Sequence, residues 1–269
     1  MDNPELYNQN NQPQQSGVQK YLSFYGEMLR NQFNDKEVDL LDIGSGCGRV
    51  LSEIIIVKSG LKFSKIIGID VSEEMVKFSN TKYGSDLISF HVMDAEGEVP
   101  EILNNQRFDI VTSFYCLPYC KNLNAAIQNI QKFLKPNGLF CCIFSQLPKS
   151  INENELVSSD DKHAKYMFKY RDLPNARVPD DVIGVIARHL NANGMESIEV
   201  TDIENDGFEF ANVEAARRLI EAVIPKLKNM SLSEKQEVID KQFKMSEINQ
   251  IGDKVVFALR NLYFIARKL

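Results

Sequence analysis

Three carboxylates stand where apolar runs give out: Asp42 after Leu40-Leu41, Asp70 after Ile66-Ile67-Gly68-Ile69, and Asp94 after Val92-Met93. The first opens the segment Asp42-Ile43-Gly44-Ser45-Gly46-Cys47-Gly48-Arg49. Glycines at that spacing let the chain turn sharply and let a ligand approach bare main chain. A helix beginning there would offer free N–H groups to an anion. The spacing is G-x-G-x-G, and the third glycine of a dinucleotide fingerprint would fall on Arg49. Asp42 suits a ligand carrying an ammonium and is a poor neighbour for a pyrophosphate. Asp70, 22 positions after Gly48, can accept both hydroxyls of a ribose. An amino-acid-bearing nucleoside such as S-adenosylmethionine satisfies all of these requirements. The missing third glycine disfavours the rival reading, a nicotinamide-dependent oxidoreductase, which titration with S-adenosylhomocysteine and NADH would decide.

These residues need a parallel sheet to bring them together. Short apolar runs at Asp39–Ile43, Lys65–Asp70, Ile88–Met93, Phe108–Phe114 and Leu139–Phe144 predict five strands buried on both faces. Helical spacing marks Arg49–Lys58 and Leu123–Leu134, and Ser72 predicts an N-cap ahead of Glu73 and Glu74. Lys135-Pro136-Asn137-Gly138 reads as a turn. In the second half, 146–178 reads as a polar insertion and Asp180–Leu190 as a helix stopped by Gly194. Helices are expected over Val213–Ile224 and Glu234–Met245, with strands at Glu196–Ile203 and Arg260–Arg267. The stripe Val213, Ala216, Ile220 and Val223 suits either core packing or a pocket wall. Asp42, Asp70, Asp94 and Ser113 all end strands at one edge of such a sheet, where ligands bind. Val71 and Ala95 adjoin two of them.

The bulk numbers fit one α/β domain with appendages. The 269 residues are 43% hydrophobic and 25% charged, with a net charge of −6. That balance argues against nucleic acid as a partner. The five cysteines (Cys47, Cys116, Cys120, Cys141 and Cys142) contain no C-x-x-C pair. They predict reduced thiols packed as small apolar groups, and no metal. Met1–Ser16 is rich in Asn and Gln and lacks the apolar centre of a signal peptide. No run approaches the ~20 apolar residues of a membrane span. The expectation is therefore a cytoplasmic protein with a small-molecule substrate and no membrane partner. Nothing in the sequence fixes the oligomeric state.

The segments LLDIGSGCGR (40–49), VTSFYCL (111–117) and LKPNG (134–138) together resemble the juvenile hormone acid O-methyltransferases of arthropods. The opening pattern Leu6-Tyr7, Asn11 and Gln14 is similar to the same family. The resemblance spans nearly the whole chain and implies a Rossmann-like class I methyltransferase. Its fold is α/β and doubly wound, with a mostly parallel seven-stranded sheet, an antiparallel seventh strand and helical insertions. It implies an N-terminal cap over 1–35 and a methyltransferase domain over 36–269. Within that domain, the cofactor core is 36–145 and the substrate-side insertions are 146–250. It implies S-adenosyl-L-methionine held by Asp42, Gly44, Ser45, Gly46, Gly48, Asp70, Val71, Asp94, Ala95 and Ser113, with Asp94 meeting the adenine.

The resemblance also implies that Gln14 holds the substrate near the sulfonium and that residues after FYCL line its pocket. There the chain departs from the family pattern. Pro118-Tyr119 replaces a His-Trp pair, Gln15-Ser16 replaces Arg-Asp, and the chain has no Trp. The expected acceptor is the carboxylate of a small apolar acid such as juvenile hormone acid or farnesoic acid. Gln14 and Tyr119 would orient it, and Phe114, Tyr115 and Pro118 would line its pocket. A carboxylate is already ionised and needs no general base, which fits a chain with only three His, at 91, 163 and 189. An amine or phenol acceptor, or a cofactor-fold module without turnover, stays open. The polar run Asn8–Gln15 suits either an unstructured tail or a lid that orders on cofactor binding.

Overall fold

The computed structural model describes residues 3–146, 182–203, 206–224, 227, 230–245, 248–251, 254–257 and 259–269. Two helices, α1 (Pro4–Asn10) and α2 (Gln12–Phe33), precede the first strand. The strands β1 (Glu37–Ile43), β2 (Lys62–Asp70), β3 (Ile88–Val92), β4 (Phe108–Phe114) and β5 (Leu134–Gln146) follow in sequence. With β6 (Met195–Ile203) and the C-terminal β10 (Arg260–Lys268) they form a sheet in the order β3-β2-β1-β4-β5-β10-β6. The first five are parallel, and β10 lies antiparallel between β5 and β6. This is the doubly wound, mostly parallel seven-stranded architecture. The chain order reverses between β1 and β4, so a crevice forms outside their carboxyl ends.

The apolar runs become strands because both faces of the sheet are covered. On one face, α2 and the helix over 50–58 bury Leu40, Ile66, Ile110, Cys141 and Ile143. That second helix is π-helical over Val50–Ile55 and continues as α3 (Ile56–Lys58), and the short α5 (Glu101–Asn104) precedes β4. On the other face, α6 (Leu123–Phe133) and α7 (Val182–Ala192) bury Leu41, Ile69, Val111, Phe140 and Cys142. Tyr21 and Tyr25 of α2 donate their hydroxyls to the Phe264 and Tyr263 carbonyls, each at 2.9 Å. Ser72 caps α4 (Glu73–Tyr83) by accepting from Met75 N at 3.3 Å, as its sequence predicts.

Two expectations need correction. Lys135–Gly138 is no turn ahead of a strand but a bulge inside β5. Phe108 pairs with Leu134 and Ile110 already with Leu139, and Asn137 takes φ +62° to absorb the extra residues. Beyond the expected strand at Glu196–Ile203, which is β6, the second half also supplies β7 (Phe208–Phe210) and β8 (Ile248–Ile251). The last two join β9 (Lys254–Phe257) in a small sheet, order β7-β9-β8, that periodicity did not show. The Val213, Ala216, Ile220 and Val223 stripe belongs to α8 (Val213–Val223). It packs with α9 (Leu232–Met245) and the small sheet around Phe210, Leu219, Val238 and Val255. Core packing is therefore its use. Most of the polar insertion, including His163, and Asp180 lie outside the described residues.

Candidate active site

The glycine turn sits at the carboxyl end of β1, and its geometry requires glycine. Gly44, Gly46 and Gly48 have φ of +77°, +56° and +78°. A Cβ on Gly44 would overlap the Cys116 side chain, and one on Gly48 would stand 2.9 Å from the Phe90 ring. Four of the loop's N–H groups are already engaged. Gly44 and Ser45 donate to the Ile69 carbonyl at 2.8 and 2.9 Å, and Gly48 donates to Ser45 O at 3.0 Å. Gly46 N donates to Asp70 Oδ2 at 2.9 Å. The turn therefore offers a ligand bare main chain rather than a nest of donors, because its amides fold back onto the end of β2.

The carboxylates differ in setting. Asp42 is buried at 4% exposure and accepts from Thr112 Oγ1 at 2.6 Å. Desolvation pushes its carboxyl up to about 7, outweighing that hydrogen bond, and Asp70 adds a little in the same direction. Asp70 ends β2 beside the exposed Val71, and its Oδ1 accepts from Ser72 N at 2.9 Å. Burial raises it too, against the two backbone donors. Asp94 is exposed and closes a local turn onto Glu96 N at 3.1 Å, with Ala95 beside it. Ser113 is fully buried beside Cys116, and its Oγ lacks a nitrogen or oxygen partner.

The Asn/Gln run is helix, not tail. Asn8, Asn11 and Gln14 are buried. Arg49 Nη1 donates to Asn8 O at 2.6 Å, Tyr83 Oη to Asn8 Oδ1 at 3.1 Å, and Asn11 Nδ2 to Cys47 Sγ at 3.5 Å. Tyr7 closes over the turn, its ring 3.6 Å from where a Gly46 Cβ would stand. Its enclosed hydroxyl is held well above the usual phenol range by desolvation first, then by Cys47, Tyr119 and Asp70. Gln14 opens α2 with its Oε1 buried and unpartnered among the described residues.

At the end of β4, Tyr115 takes φ +63°, which is costly for a bulky side chain. Its amide donates to Ile143 O at 3.0 Å and its ring meets Phe208 edge-on at 5.5 Å. Its hydroxyl bonds Tyr263, which donates to Asp206. Asp206 also accepts from Lys20 Nζ at 2.5 Å and Asn261 Nδ2 at 3.2 Å. A Cβ on Gly17 would overlap the Tyr115 hydroxyl, so α2 seats directly on that ring. Pro118 is buried in the 3-10 turn Leu117–Tyr119, while Tyr119 is half exposed. Phe114 packs against Tyr21 at a tilt, ring centroids 5.0 Å apart. Sequence reasoning missed Gly17, Asp206 and Tyr263, and gave Tyr7 no role. A glycine inside a helical run was the one available signal.

A family model described as a methyltransferase domain matches residues 34–172, just over half of the chain. The chain belongs to that methyltransferase-domain family. This methyltransferase is 29% identical over 247 residues to juvenile hormone acid O-methyltransferase from Drosophila melanogaster, covering 89% of its own length and 81% of the relative. The Bombyx mori juvenile hormone acid O-methyltransferase is 32% identical over 139 residues, 51% of this chain and 48% of that one. Among solved structures, the phosphoethanolamine N-methyltransferase 2 of Haemonchus contortus, solved with S-adenosyl-L-methionine, shares the fold. Its TM-score is 0.53 at 17% identity, over 94% of this chain and 57% of that one. The methyltransferase is accordingly an S-adenosylmethionine-dependent enzyme. No helix among its described residues is long and apolar enough to cross a membrane.

Proposed function

We propose that this methyltransferase O-methylates the carboxylate of a small apolar acid, and that its cofactor lies against the Gly44–Gly48 turn with Asp42, Asp70, Asp94 and Ser113 around it. The observation that carries the acceptor is the absence of a base at the acceptor edge among the described residues. His91 lies on β3 and His189 at the end of α7, both away from β4. Burial holds the phenols of Tyr7 and Tyr115 protonated, so they donate and do not accept a proton. An acceptor that arrives ionised needs only alignment and dehydration. The likeness to the Drosophila juvenile hormone acid enzyme supports the same choice.

Bound S-adenosylmethionine supplies an activated methyl on a cationic sulfur. In this reading Asp70 accepts the ribose hydroxyls while keeping Gly46 N, since each carboxylate oxygen has a lone pair to spare. Gln14 and Tyr119 orient the acceptor carboxylate. Phe114, Tyr115 and Pro118 exclude water around it, and α1 with Tyr7 closes the cleft. The test is a screen of acid, phenol and amine acceptors across pH. At saturating cofactor a carboxylate acceptor gives rates flat above pH ~5, whereas rates climbing through about 9–10 follow the ionisation of a phenol or amine.

A second reading, a neutral acceptor, draws on the Tyr115–Tyr263–Asp206 chain, which connects the acceptor edge to a carboxylate. Asp206 is engaged by Lys20, Tyr263 and Asn261, so the chain holds Tyr115 in place better than it would carry a proton away.

A further inference from the structure

We propose that Gln146 is a specificity determinant, its side-chain amide donating to the anionic oxygen end of the methyl acceptor. The inference deepens the carboxylate reading above and rests on it.

Five buried polar side-chain atoms among the described residues have no nitrogen or oxygen partner: Gln14 Oε1, Ser52 Oγ, Gln146 Nε2, Arg267 Nε and Ser113 Oγ, the last meeting only the Cys116 thiol. Such groups are rare because burying them unpaired is costly. Three of the five sit at one edge of the molecule, where α2 begins and where β4 and β5 end. Clustering at the ligand edge is what a site awaiting its ligand would show, since a ligand supplies the missing partners.

Of the three, only Gln146 presents a nitrogen. It is 4% exposed and ends β5, three residues beyond Ile143, the partner of Phe114. Strand alternation puts it on the face of Cys142 and Phe144. The end of β5 packs beside the 3-10 turn that carries Pro118 and Tyr119. Neighbouring donors are engaged: Arg260, opposite Gln146 in the register, forks onto Asp202, and Ser145 donates to Asn261. A neutral amide donor is apt here. It binds a carboxylate oxygen without the full charge that would pin the nucleophile.

The test compares wild type with Gln146→Leu and the isosteric Gln146→Glu, using a series of apolar carboxylic acids. Steady-state kinetics, calorimetric titration with S-adenosylhomocysteine and thermal midpoints are measured on each. Expected for Gln146→Leu is an acceptor KM raised by about 10–100-fold, the range for a hydrogen bond to a charged group. Little change in kcat, unaltered S-adenosylhomocysteine affinity and an unchanged or higher thermal midpoint should accompany it. Gln146→Glu should lower kcat/KM for acids further by facing charge with like charge. A structural glutamine would behave the opposite way, with a lower midpoint and a normal KM. Wild-type KM in Gln146→Leu, with wild type active on acids, overturns this inference alone. A wild type that methylates amines or phenols but no acid overturns the carboxylate reading and this inference with it.

Discussion

Burial raises Asp42 to about 7, so a cationic ligand must bind against a proton. Below pH 7 the carboxyl is protonated, and affinity for S-adenosylhomocysteine should weaken by up to about tenfold per pH unit. Above 7 it should level off. Calorimetry from pH 5.5 to 8.5 reads this directly, and Asp42→Asn should flatten the profile. The same shift has a stability sign. A group raised in the folded state contributes fully below its unfolded value of 3.8, and that contribution is lost as pH rises through about 7. Unliganded Asp42→Asn should therefore melt higher than wild type at pH 8. At the next strand end, Asp70→Ala should weaken the cofactor by about 2–4 kcal/mol, from two charged hydrogen bonds. Gln14→Ala should lower turnover and leave cofactor affinity nearly intact, which a comparison of kcat with S-adenosylhomocysteine titration checks.

At the scale of elements, the parallel strands were legible because each is a short apolar run ending in a small or acidic residue. The expected Phe108–Phe114 strand matches β4, and β1, β2 and β3 differ from expectation only at their ends. The Lys135–Gly138 bulge was misread because Pro-Asn-Gly is turn chemistry wherever it stands, and only the register with β4 tells a bulge from a turn. The small sheet escaped because three- and four-residue strands carry too few positions for a period. Asp206 was invisible for another reason, since its partners Lys20, Asn261 and Tyr263 lie far along the chain; Gln146 was invisible because only the folded structure shows its amide buried without a partner. Gly17 tests how α2 docks. Helix propensity alone favours alanine there by about 0.5–1 kcal/mol. Overlap with the Tyr115 hydroxyl predicts the reverse, a lower melting midpoint for Gly17→Ala and faster proteolysis at α1. Tyr7→Ala should speed cofactor entry in stopped-flow binding, since that ring covers Gly46.

Over the whole molecule, the sheet with its two helical faces and the layer of α8, α9 and the small sheet have separate cores. Tyr7 and Phe208 pack on the edge of the second layer, and Phe208 also meets Tyr115. In the proposed reading the edge of the sheet, with α1 and α2, holds cofactor and acceptor, and the layer supports that edge through Tyr7 and through Phe208 against Tyr115. Leu219→Ala, at 4% exposure in that layer, should cost about 2–4 kcal/mol locally and reduce acceptor kcat/KM with cofactor affinity held. The most direct measurement is a pair of calorimetric titrations, wild type and Asp70→Ala, each with S-adenosylhomocysteine and with NADH. The account predicts one-site binding of S-adenosylhomocysteine to wild type, much weaker binding to Asp70→Ala, and no heat from NADH with either. Tight NADH binding without a response to S-adenosylhomocysteine, or an Asp70→Ala curve identical to wild type, would contradict it.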